Sequence, residues 1–163
     1  MKTLLIVYHS MTGGTRQMAE AAAAGAGVEE SVKVNLLHAT DAGPEDLLAA
    51  DGFIFATPEN LAAISGLFKD FFDRTYYPAL DRLNGRPYVT MICAGSDGQN
   101  AARQIDRIAT GWRLKPVAPT LIVCTHAQTP EEILRPKQID VTELKRCEEL
   151  GTAMAAGLAL GVF

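Results

Sequence analysis

Five short runs of apolar residues recur along the chain, and segments with helical spacing separate them. The runs are Leu4–Tyr8, Val32–Leu37, Phe53–Ala56, Tyr88–Cys93 and Leu121–Cys124. Four of them are nearly continuous and rich in β-branched or aromatic residues, which is typical of strands buried on both faces of a sheet. The second run alternates between apolar and polar residues, which predicts an edge strand with one face in water.

Helical spacing of apolar residues predicts a helix in each interval between the runs and another after the last run. The predicted helices lie at Thr15–Gly25, at Pro44–Ala50, at Gly66–Tyr76, around Ile105–Trp112 and from Val141 onward. Strands that alternate with helices pair in parallel through right-handed crossovers, so the helices cover both faces of the sheet. The pattern therefore predicts an α/β fold: a three-layer, doubly wound sheet of five parallel strands, formed by residues 1–163 as a single domain.

Composition excludes several classes of protein. The hydrophobic fraction is 48% and the charged fraction 21%, as in ordinary globular domains. The formal net charge of −4 and the absence of a Lys/Arg cluster argue against a nucleic-acid partner. Three cysteines without metal-ligand spacing predict neither a disulfide framework nor a metal site, and they favour a reducing, cytoplasmic setting. The longest uncharged apolar stretch, residues 151–163, is too short for a membrane span.

In a doubly wound sheet, ligands bind beyond the carboxyl ends of the strands, where the strand order reverses. The segment after the first run leads directly into a helix and combines hydroxyl groups with two glycines: Ser10-Met11-Thr12-Gly13-Gly14-Thr15. Its backbone N–H groups and the helix N-terminus would form a nest for one phosphate group. A plainer interpretation is that Thr12 or Thr15 only caps the helix. No lysine follows the glycines, which excludes a nucleoside-triphosphate loop.

Two further strand ends carry candidate binding segments. The first is a predicted loop over residues 57–66, in which the candidate binding residues are Thr57-Pro58-Glu59-Asn60-Leu61 and Ile64. The second is a polar turn, Ala94-Gly95-Ser96-Asp97-Gly98-Gln99. Each segment alone could be an ordinary connection, with Asp97 capping the next helix. Three such segments at neighbouring strand ends predict a single site, in which the loop takes a flat apolar ligand and the turn offers hydrogen-bond donors.

These segments resemble the flavin-binding loops of the flavodoxin-like superfamily. Ser10–Thr15 resembles the phosphate loop S/T-x-T-G-x-T, Thr57–Asn60 with Ser65-Gly66 resembles the second flavin loop, and Gly95–Gln99 resembles the third loop less closely. Within the superfamily, the chain is similar to NAD(P)H-dependent oxidoreductases related to FMN reductases and WrbA-type quinone reductases. The resemblance implies non-covalently bound FMN, NAD(P)H as co-substrate, a small-molecule electron acceptor, strand order 2-1-3-4-5, and a homodimer or homotetramer.

Two functions fit this resemblance: an oxidoreductase, and a flavodoxin-type electron carrier that docks on protein partners. A third possibility is an FMN-binding protein without turnover. The net charge of −4 is weak for a carrier that is steered to its partners by acidic charge. Flavodoxins shield the flavin with aromatic side chains, but residues 58–65 and 95–100 contain none. We therefore predict an enzyme that passes electrons from NAD(P)H through FMN to a quinone or a similar acceptor.

No side chain is predicted to be catalytic. Backbone N–H groups from Ser96 to Gln99 would stabilise negative charge on the reduced flavin. Of the two carboxylates near the ring, Glu59 is expected to be more structural than Asp97. Three other side chains are assigned to packing: Trp112 lies in the core, and Cys93 and Cys124 lie on core strands as inert residues. His126 is expected to lie far from the flavin.

Overall fold

A computed structural model describes all 163 residues of the chain. Its strands are β1 (Lys2–Tyr8), β2 (Val32–His38), β3 (Gly52–Asn60), β4 (Ala63–Ile64), β5 (Pro87–Ala94), β6 (Lys115–Pro116) and β7 (Leu121–Cys124). Its helices are α1 (Gly14–Ala26), α2 (Pro44–Ala49), α3 (Gly66–Ala79), α4 (Gln99–Gly111), α5 (Pro130–Leu134) and α6 (Val141–Leu160). The helices predicted from the sequence are all present, and the short α5 is an addition to them.

The parallel sheet has the strand order β2-β1-β3-β5, and both β6 and β7 pair with the outer edge of β5. The strand β6 pairs with the start of β5, at Pro87 and Tyr88, while β7 pairs with its end, from Met91 to Ala94. Together they fill the fifth position of the sheet. The predicted flavodoxin-like order 2-1-3-4-5 is therefore confirmed, with the fifth strand divided in two.

Each face of the sheet has its own hydrophobic core. On one face, Phe55 packs against aromatic side chains of α3 and against Trp112, with 5.5 Å between the ring centroids of Phe55 and Phe72. Trp112 is fully buried, as expected. On the other face, α1 and α6 approach so closely that a Cβ at Gly151 would overlap the carbonyl group of Ala22. None of the helices is both long and apolar enough to cross a membrane.

The strand β3 is longer than its apolar run predicts. It continues to Asn60 and turns back as the antiparallel strand β4, which pairs Glu59 with Ile64. The turn residues Leu61 and Ala62 have φ values of 51° and 61°, in the left-handed region where glycine or asparagine is usual. The prediction of a loop over residues 57–66 was therefore wrong, because the hairpin turn contains none of the residues that normally mark one.

Candidate cofactor-binding site

A cavity of about 540 Å³ opens beyond the carboxyl ends of β1, β3, β5 and β7. Its walls are the β1–α1 loop, the β3–β4 hairpin, the β5–α4 loop and the connector between β7 and α6. The predicted residues that line it are Ser10, Met11, Thr12, Gly14, Thr15, Pro58, Glu59, Asn60, Leu61, Ala94, Gly95 and Ser96. The fold thus brings the three candidate segments to one cavity.

The β1–α1 loop leaves several backbone donors unpaired. Gly13, with φ at 93°, is the N-cap of α1, so neither Thr12 nor Thr15 caps this helix. The Gly13 N–H donates to Ser10 Oγ at 3.0 Å. The N–H groups of Met11 and Thr12 make no hydrogen bond in the chain, and those in the first turn of α1 have no intrahelical carbonyl to bond. Free donors and the positive end of the helix dipole therefore meet at this loop, which favours an anion.

The hydroxyl group of Thr15 fits the same interpretation. Thr15 lines the cavity and is 1% exposed, yet its Oγ1 has no oxygen or nitrogen partner, and only the weakly hydrogen-bonding Cys93 thiol interacts with it. Leaving a buried hydroxyl unpaired costs about 1–3 kcal/mol, and a ligand with acceptor oxygens would remove that cost. A Cβ at Gly14 would lie 2.8 Å from Cys93 Sγ, so the loop sits tightly on the floor of the cavity. The donor set fits the phosphate group of FMN.

Glu59 joins the β3–β4 hairpin to the β5–α4 loop. Its Oε1 accepts a hydrogen bond from the Gly98 N–H at 2.9 Å, and its Oε2 accepts one from the Ala101 N–H at 3.3 Å. The carboxylate therefore caps α4, where the helix dipole favours negative charge. Asp97 is exposed, and its carboxylate accepts only from the Gln99 N–H, at 3.3 Å. Glu59 thus has the structural role expected for it.

Fewer backbone donors are free in the β5–α4 loop than the sequence suggests. The N–H groups of Gly98 and Gln99 are already bonded to the carboxylates of Glu59 and Asp97. The N–H groups of Gly95, Ser96 and Asp97 make no hydrogen bond in the chain. Of the donors predicted from Ser96 to Gln99, only those of Ser96 and Asp97 are therefore free, and the Gly95 N–H is a free donor that was not predicted.

Other predicted site residues lie below or beside the cavity. Thr57 is fully buried, and its Oγ1 donates to the Pro58 carbonyl at 3.0 Å and lies 3.2 Å from Ser65 Oγ. Ser65 Oγ lies 2.7 Å from His9 Nδ1; burial, and then the charge of a neighbouring histidine, lower the pKa of His9. Ile64 is 7% exposed and belongs to the core. The residues outside the cavity lining are Gly13, Thr57, Ile64, Asp97, Gly98 and Gln99.

The fourth wall of the cavity was not predicted from the sequence. Residues of the β7–α6 connector that line the cavity are Thr125, Ala127, Gln128, Ile133 and Lys137. His126 was expected to lie far from the site; its side chain is exposed, but its N–H donates to the Gly95 carbonyl at 2.8 Å. The connector therefore borders the site. The predicted strand order was the one signal for this wall. That order places the last strand beside β5, so the connector that follows the last strand begins next to the site.

The cysteines near the site differ in environment. Cys93 is 8% exposed on the floor of the cavity, and burial raises its pKa to about 11. Cys124 is only partly buried, with its Sγ 3.9 Å from the Asp97 carbonyl oxygen. The expectation of a core position is correct for Cys93, whereas Cys124 lies at the edge of the sheet.

The fold and the cavity define a flavodoxin-like α/β protein with free backbone donors at the switch point of its sheet. The model of the NADPH-dependent FMN reductase family matches residues 40–129. The chain therefore belongs to the NADPH-dependent FMN reductase family, as the resemblance of its loops implied.

Individual relatives carry two kinds of name. The chain is 41% identical to "Flavodoxin" of Aquifex aeolicus over 60% of its own length and 53% of that protein. It is 34% identical to "NAD(P)H dehydrogenase (quinone)" of Acidithiobacillus ferrooxidans over 46% of its length and 48% of that protein. The chain thus spans about half the length of these curated relatives. A solved flavodoxin, WrbA-like protein from Agrobacterium tumefaciens has the same fold, with a TM-score of 0.72 at 20% identity over 98% of this chain and 99% of that one.

Proposed function

We propose that the chain binds FMN and acts as an NAD(P)H-dependent oxidoreductase that passes electrons to a quinone or a similar small acceptor. The observation that carries this proposal is the buried Thr15 hydroxyl, which has no oxygen or nitrogen partner, beside free N–H groups at the N-terminus of α1. Those donors match a phosphate group. FMN, when bound, supplies the redox chemistry, since it takes a hydride from NAD(P)H and returns electrons to an acceptor.

The protein contributes binding and charge stabilisation. Residues Ser10–Thr15 would hold the phosphate group, and the hairpin and residues 94–96 would hold the ring. The free N–H groups of residues 95–97 supply donors for negative charge that develops on the ring. The Glu59 carboxylate is the one acidic group among the lining residues, and its bonds to α4 direct its charge toward the helix N-terminus.

The openness of the cavity supports an oxidoreductase. None of its lining residues is aromatic, and Leu61 at the tip of the hairpin is fully exposed. A ring held there would lack the aromatic cover that flavodoxins place over their flavin. An uncovered face leaves room for a nicotinamide or a quinone to stack.

An electron carrier is the second candidate, and the 41% identity to a protein named flavodoxin favours it. A carrier would bind FMN in the same nest but would not be reduced by a nicotinamide. The two functions therefore differ in one observable, the response of bound flavin to NAD(P)H.

The test is an anaerobic visible spectrum of the FMN-loaded protein before and after NADPH or NADH is added. Rapid bleaching at about 450 nm, reversed by a quinone, is expected for the oxidoreductase. Bound flavin that ignores both nicotinamides would favour the carrier, and a protein that binds no flavin would refute both functions.

A matched pair of variants tests the nest itself. Thr15→Val should weaken FMN binding by about 10- to 100-fold, because a hydrogen bond to a charged group contributes about 1.5–3 kcal/mol. Thr90→Val is the control, since Thr90 Oγ1 is also buried and unpaired but lies outside the cavity lining. Equal FMN affinity in both variants would contradict the assignment of the nest.

We also propose self-association and a cytoplasmic location. Leu160 and Val162 at the end of the chain are 75% and 66% exposed, which supports a homodimer or a homotetramer. The three cysteines are all free, which supports a reducing compartment. Light scattering of the purified protein tests the first proposal, and imaging of a tagged chain in its host tests the second.

A further inference from the structure

Lys137 is the one basic residue among those that line the cavity. It belongs to the connector between β7 and α6, far from the β1–α1 loop in sequence. Its backbone N–H donates to the Thr12 carbonyl at 2.8 Å, and its Nζ lies 3.4 Å from Thr12 Oγ1. The fold therefore brings an ammonium group to the nest, although no lysine follows the glycines of the loop itself.

The side chain of Gln17 fixes the connector against α1 at Lys137 and at Ile139. Its Nε2 donates to the carbonyl groups of Gly13, at 2.9 Å, and Lys137, at 2.8 Å. Its Oε1 accepts a hydrogen bond from the Ile139 N–H at 3.0 Å. The contact between Lys137 and the loop thus belongs to a defined register of two backbone segments and is not a chance approach of a mobile side chain.

The ammonium group of Lys137 is held in place by uncharged acceptors. Its Nζ donates to the carbonyl groups of Ile133, at 2.8 Å, and Arg135, at 2.6 Å, which are neutral acceptors. It forms no ion pair, whereas Arg16 in the first turn of α1 pairs with Glu20 at 3.7 Å and is exposed. No carboxylate of the chain is therefore paired with the ammonium group at the nest.

Lys137 also lies close to Gly14, at the floor of the nest. A Cβ at Gly14 would lie 3.5 Å from Lys137 Cβ and 2.8 Å from Cys93 Sγ. Burial raises the pKa of the Cys93 thiol, and the charge of Lys137 is the largest influence that opposes this rise. Lys137 and Cys93 thus both border Gly14 at the floor of the nest.

We propose that Lys137 is the counter-ion of the cofactor phosphate, supplied by the β7–α6 connector to a nest that otherwise offers only neutral donors. This inference rests on the proposed FMN binding and adds the residue that recognises the phosphate group. A phosphate monoester carries nearly two negative charges at pH 7, and backbone N–H groups alone leave them unpaired. The charge of Lys137 should therefore help the protein to distinguish FMN from riboflavin, in addition to the neutral donors of the nest.

The test compares dissociation constants for FMN and riboflavin, measured by quenching of flavin fluorescence. Lys137→Gln should weaken FMN binding roughly 10- to 100-fold and change riboflavin binding less than about twofold. Lys137→Arg keeps the charge and should retain most of the preference for FMN. Arg16→Gln removes an equal charge from the neighbouring turn of α1, where it is paired and exposed, and should have little effect.

The outcomes separate this inference from the proposed function. Wild-type protein that binds neither flavin would overturn both. Wild-type protein that prefers FMN, with the same preference in Lys137→Gln, would overturn the role of Lys137 and leave the proposed function standing. An equal loss of preference in Lys137→Gln and Arg16→Gln would also overturn it, since the effect would then come from net charge. Far-ultraviolet circular dichroism of each variant checks that it is folded. If Lys137→Gln does not fold, the Lys137→Arg variant still tests the role of the charge.

Discussion

Replacement of Glu59 by glutamine tests whether the carboxylate that joins the hairpin to α4 stabilises the fold. The substitution keeps the size of the side chain but removes its charge. In the native protein, both carboxylate oxygens accept hydrogen bonds from N–H groups at the start of α4, at 2.9 Å and 3.3 Å. The N-cap of α4 is Gly98, which has no side chain to replace these bonds.

The expected loss of stability follows from these two bonds. Glutamine can still accept from the Gly98 N–H, but its amide group would place N–H donors opposite the Ala101 N–H. One charge-assisted bond is lost, at about 1.5–3 kcal/mol, and with it the favourable interaction of the charge with the helix dipole, at about 0.3–1 kcal/mol. Allowing for the long second bond and for partial exposure, we expect a decrease of about 2 kcal/mol in the free energy of unfolding.

Urea unfolding followed by circular dichroism measures this decrease directly. The matched control is Glu143→Gln, which removes a carboxylate from the first turn of α6 that pairs with Arg146 at the surface. That exposed ion pair should contribute less than about 1 kcal/mol. If Glu59→Gln and Glu143→Gln lose equal stability, the capping of α4 by the hairpin does not stabilise the protein and the reasoning fails.

Three further predictions follow from burial and packing. Gly151→Ala should cost about 1–3 kcal/mol in urea unfolding, because its methyl group overlaps the Ala22 carbonyl; an unchanged midpoint would contradict the close packing of α1 against α6. Because the pKa of His9 is lowered in the fold, the stability that its neutral form contributes is present above pH 6.5 and is lost as the pH falls toward the folded value. Between pH 7.5 and 5.5, His9→Gln should therefore lose less stability than wild type, and an equal loss would contradict the shift. Cys124 should react with a thiol reagent before the two buried cysteines, which mass spectrometry of the labelled peptides would verify or disprove.

The sheet and the first wall of the cavity could be predicted from sequence because each depends on local pattern. Apolar runs identify buried strands wherever they occur, and the glycines after β1 favour a nest through their backbone freedom alone. The β3–β4 hairpin could not be predicted in this way. Its turn places Leu61 and Ala62 at positive φ, which neither residue favours, so tertiary contacts must impose it. One such contact is the hydrogen bond from the Asn100 side chain to the Ala62 carbonyl.

The position of Lys137 depends on a different kind of information. Its approach to Thr12 results from the path of the connector after β7, and no periodicity within that connector indicates where it leads. The family match ends at residue 129, before the lysine. Long-range backbone contacts of this kind are set by the whole fold, so a sequence without a structure could suggest the nest but not its counter-ion.

The walls of the cavity are bonded to one another by the protein's own groups. Glu59 links the hairpin to α4 by hydrogen bonds, and the Asn100 side chain links α4 to the hairpin turn. Gln17 links α1 to the connector in the same way. A site held in this way exists before its ligand arrives, so binding need not bear the entropic cost of ordering four loops. Hence the residues that matter for affinity include some that never touch the ligand. Removing the hydrogen bonds of Gln17 should reduce the preference for FMN, because Lys137 is then no longer held at the nest. Removing those of Glu59 should weaken the binding of FMN and of riboflavin alike, since both ligands contain the ring.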